Sequence, residues 1–82
     1  MELIHIATYE TPYTRLCIYK TNYTYWYSNN DTTEDLYVMI TTNKKTNEEY
    51  CRYGNSTQVK STINTYHGLQ LVSGKDWRYN ND

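Results

Sequence analysis

The sequence predicts an α+β fold, an antiparallel meander of about five strands with one short C-terminal helix packed on one face. Runs rich in Ile, Val, Thr and Tyr, with alternating apolar and polar residues, fill most of the first 53 positions. After Gly54 the apolar spacing changes to that of a helix. With 82 residues there is room for one core, so residues 1–82 should form a single small domain, with 75–82 as a polar C-terminal tail.

The first half of the chain reads as strands joined by turns. The first predicted strand, residues 2–9, is followed by Pro12, which cannot donate a backbone hydrogen bond. A second strand covers residues 15–20. Thr21-Asn22 then suits a two-residue hairpin turn, although the favoured glycine is missing. The turn leads into a third strand, residues 23–27, with very high β-propensity.

The fourth and fifth strands follow a polar loop at residues 28–33. The fourth strand is predicted over residues 36–42, and its alternation directs three aliphatic side chains inward: Leu36, Val38 and Ile40. Residues 43–47 form a turn into the fifth strand, residues 48–53. Its mixed composition is typical of a sheet edge, and we expect this edge to mediate self-association or partner binding.

The helix is predicted from its capping residues and its apolar stripe. Asn55 is a good N-cap, and Gln58 follows three positions later, as in a capping box. Val59, Ile63 and Tyr66 follow with the spacing of one helical face, so Val59 and Ile63 should be buried.

The end of the chain carries weaker signals. Gly68 is placed to end the helix, and residues 69–72 suit a last short strand. The tail beyond them has two aromatic residues that could anchor it, Trp77 and Tyr79.

Composition excludes several classes of function. The 8 basic and 9 acidic residues nearly balance, which does not favour a nucleic-acid-binding surface. No apolar run approaches the roughly 18 residues of a membrane span. The first residues lack a basic stretch followed by an apolar one, so we expect no secretory signal. We therefore expect a cytoplasmic protein without membrane contact, in which Cys17 and Cys51 are free thiols.

The composition also bears on origin. There are eleven Tyr but only three Gly, one Pro and no Phe. Asn, Tyr, Lys and Ile have A+T-rich codons, whereas residues with G+C-rich codons are scarce. This bias suggests an A+T-rich genome, such as that of a low-GC bacterium, a bacteriophage or a mobile element.

The most distinctive segment is the run of aromatic residues in the third predicted strand, YTYWY. Alternation places three tyrosines on one side, with Trp26 on the other: Tyr23, Tyr25 and Tyr27. If Trp26 faces the core, the tyrosines form an exposed contact surface, extended by Tyr37 or Tyr19 on a neighbouring strand. Arg52 on the fifth strand completes the candidate partner-binding set. The structural alternative is that these tyrosines only stiffen the sheet as cross-strand pairs.

Candidates for catalysis or metal binding are sparse. His5 and His67 could form an acid–base pair if they met in space. The two histidines and two cysteines lack the close spacing of a zinc site. The adjacent acidic pairs, Glu34-Asp35 and Glu48-Glu49, point to opposite faces on a strand. We therefore assign no catalytic residue, no metal ligand and no cofactor.

These observations favour a small non-enzymatic binding protein, and the suggested origin points to a phage or mobile-element inhibitor or adaptor. Its partner is expected to be another protein, such as a host defence or regulatory protein, and a homodimer is an additional expectation. One alternative is a module for RNA or single-stranded nucleic acid that stacks bases on the tyrosines. Another is a minimal His-dependent nuclease.

Overall fold

One antiparallel sheet and one helix make up the fold in the computed structural model, which describes residues 2–27 and 32–79. The elements are, in chain order, β1 Leu3–Glu10, β2 Thr14–Tyr27, β3 Thr32–Asn43, β4 Glu49–Gly54, α1 Ser56–Asn64, β5 Gln70–Gly74 and a 3₁₀ turn Trp77–Tyr79. The sheet order is β4-β3-β2-β1-β5, and all pairings are antiparallel. The predicted α+β class, with about five strands and one helix, is confirmed.

The connections explain how one face of the sheet becomes covered. Strands β1 to β4 follow one another as a meander. Helix α1 then leaves the β4 edge, and β5 returns to pair with β1 at the opposite edge. The helix must therefore cross a face of the sheet, and that face becomes the buried one. Within residues 2–27 and 32–79 no helix lies on the other face, which we call the open face.

The predicted hairpin turn at Thr21-Asn22 is wrong, because β2 runs without interruption from Thr14 to Tyr27. Its register with β3 shifts between Lys20 and Thr24. Thr21 is buried there, where its hydroxyl donates to the Leu36 carbonyl (2.8 Å) and accepts from the Tyr23 N–H (3.1 Å). Without a glycine to form a primed turn, the chain takes up the extra residues as a bulge and continues.

The core lies between the sheet and α1, and its members come from every layer: Ala7, Tyr9, Leu16, Ile18, Tyr37, Met39, Val59, Ile63, Leu69 and Trp77. In β3 the inward residues are Tyr37 and Met39, so the predicted inward set was wrong: Leu36, Val38 and Ile40. Val38 is buried, but on the open face, beside its cross-strand partners Tyr19 and Tyr53. The helix begins just after Gly54, the cross-strand partner of Tyr37, and so it covers the Tyr37 side.

Helix α1 forms where the sequence predicts it, and the capping box is complete. The Gln58 N–H donates to Asn55 Oδ1 (2.9 Å), and the Asn55 N–H donates to Gln58 Oε1 (2.8 Å). Val59 and Ile63 are buried, as predicted. The helix ends at Asn64, and Gly68 lies in the loop that follows, with a φ of 74° that favours glycine.

The segment after β5 is held to the core by Tyr9. Its hydroxyl donates to Asp76 Oδ1 (2.9 Å) and accepts from the Trp77 N–H (2.6 Å). The Arg78 guanidinium binds both carboxylate oxygens of Asp76 at 3.0 Å and lies 5.3 Å from the centre of the Tyr9 ring. Trp77 is 5% exposed and packs edge-on against Tyr37. The expected anchoring through Trp77 is confirmed, whereas the side chain of Tyr79 lies outside the described part.

This cluster makes the stability of the fold depend on pH. Hydrogen bonds from the Arg78 side chain, with further ones from the Arg78 backbone and Tyr9, lower the pKa of Asp76 from 3.8 to about 2. A carboxyl whose folded pKa lies below its unfolded value stabilises the fold above the unfolded pKa. That stabilisation is lost as the pH falls from about 5 toward 2.

We therefore expect Asp76→Asn to lower the free energy of unfolding at pH 7 by about 1–3 kcal/mol. The difference between wild type and variant should shrink steadily between pH 5 and pH 2. Urea titrations at several pH values measure it, with Glu48→Gln, at an exposed carboxyl, as the control. A difference that stays constant down to pH 2 would contradict this assignment.

Candidate functional site

The tyrosine-rich segment lies in a two-stranded arm that extends beyond the rest of the sheet. Residues 24–27 of β2 pair there with residues 32–35 of β3, and we call these two segments the arm. Pairing of β1 with β2 ends at Thr21, and pairing of β4 with β3 ends at Tyr37. Within the described ranges no third strand flanks the arm, and the molecule measures 41 Å along its longest axis.

The base of the arm is fixed by specific contacts. The hydrogen bonds of Thr21 hold the bulge in β2 against Leu36 of β3. Beside it, Lys20 Nζ forms an ion pair with Asp35 Oδ2 (3.3 Å). Both partners of that pair are substantially exposed, so the pair adds little stability and mainly orients the two strands. The arm therefore starts from a defined point at the edge of the core.

The structure separates the predicted partner-binding residues. Tyr23 is 52% exposed at the base of the arm, in line with its predicted place on the surface. The backbones of Tyr25 and Tyr27 lie in the arm, opposite Glu34 and Thr32. The side chains of Tyr25 and Tyr27, like that of Trp26, are outside the described part of the structure.

The other two predicted residues lie on the body of the sheet. The expected exposure of Tyr37 is wrong, because this ring is 8% exposed and packs edge-on against Trp77 at 5.1 Å. Its burial raises the pKa of the Tyr37 hydroxyl. Arg52 is exposed on β4, opposite Met39 of β3. Tyr37 thus belongs to the core, while a binding role for Arg52 stays a prediction.

The open face carries a second group of aromatic and apolar residues, which the sequence did not indicate as a group. Cross-strand partners share a face, and two rows follow from the pairings: His5, Tyr19, Val38 and Tyr53 in one, and Thr8, Cys17, Ile40 and Cys51 in the other. The His5 and Tyr19 rings are in edge-on contact at 5.6 Å. Alternation within each strand was visible in the sequence, but the rows depend on strand order and register.

The segment that contains the arm, residues 24–35, is acidic. Residues 24–35 contain Asp31, Glu34 and Asp35 and no Lys or Arg, which gives this segment three negative charges. At the far end of the sheet, Glu10 binds Arg15 (2.8 Å) and Lys44 (2.9 Å), and these hydrogen bonds lower the pKa of the Glu10 carboxyl. These two cations are thus already paired, and neither belongs to a basic surface beside the arm.

The arrangement does not bring the histidines together. His5 lies near the start of β1, on the open face, with its Nε2 2.7 Å from the Thr8 hydroxyl. His67 precedes Gly68, which lines a shallow pocket of about 320 Å³ together with Glu10 at the other end of β1. The acid–base pair considered from the sequence therefore finds no support in the geometry.

The cysteines share a face but are not adjacent. Cys17 and Cys51 are both cross-strand partners of Ile40, which lies between them on the open face. Two strand spacings place their Cα atoms roughly 10 Å apart. This exceeds the reach of a disulfide, and both are free thiols. Among residues 2–27 and 32–79, no three His, Cys, Asp or Glu side chains are grouped to hold a metal ion.

Comparisons with known proteins give no assignment. No family model, no curated protein and no solved structure matches this chain. In the described part of the chain, no helix is long and apolar enough to cross a membrane. The arm, the open face and the edges of the sheet are therefore the candidate sites of function.

Proposed function

We propose that this protein is a small non-enzymatic binding protein whose arm occupies a surface of another protein. The observation that carries the proposal is the placement of residues 24–27, all of the YTYWY segment except Tyr23, in a two-stranded arm outside the five-stranded body. A two-stranded ribbon is at best marginally stable in water. A partner surface that covers the arm would supply the missing burial, and aromatic residues contribute most strongly to such contacts.

The distribution of the core supports a binding role for the arm. No described side chain between Thr21 and Tyr37 belongs to the buried core. The backbone of residues 24–27 pairs only with β3 there, beyond the ends of the pairings that β1 and β4 make. Segments that add little to the core while concentrating Tyr and Trp are typical of contact surfaces.

The charge of the arm favours a protein over a nucleic acid as the partner. Binding of single-stranded nucleic acid combines stacked aromatic residues with a positively charged groove. Residues 24–35 contain three acidic residues and no basic one, and phosphate groups would be repelled. The chemistry of the arm fits a cleft with apolar walls and a basic rim on another protein.

A narrower proposal concerns the biological setting. The amino-acid composition is rich in residues with A+T-rich codons, and among the origins that fit this composition we favour a phage or mobile element. In that setting the partner would be a host defence or regulatory protein in the host cytoplasm, and this protein would act as its inhibitor or adaptor.

The test is co-purification from source cells with two immobilised proteins, the wild type and a short-arm variant. The short-arm variant replaces residues 24–35 with Asn-Gly, a pair that favours the two-residue hairpin turn. We expect one protein to be retained by the wild type and lost with the short-arm variant. Recovery of RNA or DNA that is lost in high salt would favour the nucleic-acid alternative. Equal retention of the partner by both proteins would contradict the proposal.

A further inference from the structure

Strand β4 is an exposed edge without a bulge or a proline, two of the devices that block strand addition. Its pairing with β3 runs without a shift from Glu49 to Gly54, and it contains no proline. Every residue of β4 except Gly54 is exposed. The other edge, β5, is irregular, since its register with β1 shifts and Gly74 has a positive φ. Regular, exposed edges are templates for pairing with another strand.

The alternation of hydrogen-bonded residues between β3 and β4 shows which backbone N–H and C=O groups of β4 face outward. The Asn43 N–H donates to the Glu48 carbonyl (2.8 Å), which closes the turn between β3 and β4. In an antiparallel pair only every second residue directs its N–H and C=O toward the neighbour. Counting from Glu48, the residues bonded to β3 are Tyr50, Arg52 and Gly54. The outward backbone groups are therefore those of Glu49, Cys51 and Tyr53.

Three two-fold registers would pair β4 with a second copy of itself over most of its length, with the axis at Tyr50, Cys51 or Arg52. An axis at Arg52 sets two guanidinium groups opposite each other, which is destabilising. An axis at Tyr50 sets Tyr53 opposite Asn47, which lies in the preceding turn with a φ of 63°. An axis at Cys51 aligns all the outward groups, so each copy donates through three N–H groups and accepts through three C=O groups.

The side chains also match in the Cys51 register. Tyr50 lies opposite Arg52 of the second copy, an arrangement suited to a guanidinium–aromatic contact. Glu49 lies opposite Tyr53 of the second copy, where a phenol can donate to a carboxylate. No like charges face each other. We propose that the protein forms a homodimer by antiparallel pairing of β4 with β4 of a second copy, with Cys51 on the two-fold axis.

The dimer follows from β4 alone and does not depend on the function proposed for the arm. It joins the two sheets into one continuous sheet of ten strands, five from each copy. A two-fold axis perpendicular to the sheet keeps both α1 helices on one side and both open faces on the other. It also reverses the strand direction, so the two arms extend in opposite directions. Such a dimer would offer two binding arms, and binding to a multimeric partner would gain avidity.

Light scattering after gel filtration, over a wide concentration range, tests the dimer. We expect the wild type to dimerise and Cys51→Lys, which sets two lysines opposite each other, to dimerise at least 10-fold more weakly. Ser73→Lys adds the same charge at an exposed position on the other edge strand and should dimerise like the wild type. Circular dichroism checks that both variants are folded. A wild type that remains monomeric throughout, or equal dimerisation of both variants, would overturn the proposal.

Oxidative cross-linking with copper–phenanthroline, which takes up the electrons of the two thiols, tests the register. In the Cys51 register the two Cys51 Cα atoms face each other at about 5.5 Å, within disulfide range. A Cys17→Ser variant should therefore form a covalent dimer rapidly, while Cys51→Ser should not. With the axis at Tyr50, the two cysteines would be offset along the strands and out of range. Absence of the cross-link in a Cys17→Ser protein that dimerises would overturn the register.

Discussion

Replacing Ile63 with aspartate is expected to unfold the domain at 25 °C. Ile63 is 2% exposed and belongs to the core between α1 and the sheet. Truncation to alanine at such a site costs about 2–5 kcal/mol, and a buried unpaired carboxylate costs more. A domain of this size has roughly 5–10 kcal/mol of stability in total. Circular dichroism and thermal melting would show the loss of the cooperative transition.

A matched control separates burial from the effect of a new charge on the helix. Ser61 lies on the same helix and is exposed. Ser61→Asp should change the free energy of unfolding by less than about 0.5 kcal/mol, as expected for a surface substitution. If Ile63→Asp melted at the wild-type temperature, this result would contradict the burial of Ile63 between α1 and the sheet.

The second large effect is expected from Tyr37→Ala, which should cost about 3–5 kcal/mol of stability, as for other aromatic residues in cores. The substitution leaves a cavity beside Trp77, whose indole packs edge-on against this ring. Tyr23→Ala is the matched control, because it removes the same side chain from a half-exposed position nearby. Urea unfolding of both variants measures the contrast. Equal costs, or a larger cost for Tyr23→Ala, would contradict the burial of the Tyr37 side chain in the core.

The helix could be predicted from sequence because its signals are local. Asn55 and Gln58 cap each other three positions apart, and Val59 and Ile63 fall on one helical face. Each of these relations depends on neighbours within one or two turns. The strand-rich character of residues 3–54 is equally local, since it follows from β-propensity and alternation.

The face of each strand that points toward the helix could not be predicted from the sequence, because both faces of β3 carry large side chains. Tyr37 and Met39 are buried against α1, whereas Val38 is buried on the open face. Which set meets the helix depends on where the chain crosses the sheet. The continuous β2 was missed for a related reason, since the bulge after Lys20 is stabilised by a hydrogen bond to a distant residue, Leu36.

The candidate binding segment was recognisable from sequence, but its position in the molecule was not. Its aromatic composition is visible directly in the sequence. That it forms an arm depends on how far β1 and β4 extend along their neighbours, which the pairings at Thr21 and Tyr37 define. The rows on the open face likewise required the strand order and the register.

Within the arm, Tyr25 is the residue whose replacement we expect to affect binding most selectively. Tyr25→Ala should weaken the affinity for the partner by about 1–3 kcal/mol, which is roughly 5- to 150-fold. The melting temperature should change little, because the arm adds no described side chain to the core. If Tyr25→Ala unfolded the protein instead, the segment would have a structural role and the binding hypothesis would fail.

The most direct test of the central claim is the affinity of the short-arm variant for the purified partner, measured by titration calorimetry beside the wild type. The base of the arm, with Thr21 buried and bonded to Leu36, is kept in this variant, so the body should remain folded. We expect no measurable binding, together with a cooperative thermal transition close to that of the wild type. Binding of the short-arm variant with wild-type affinity would show that the arm does not carry the interaction.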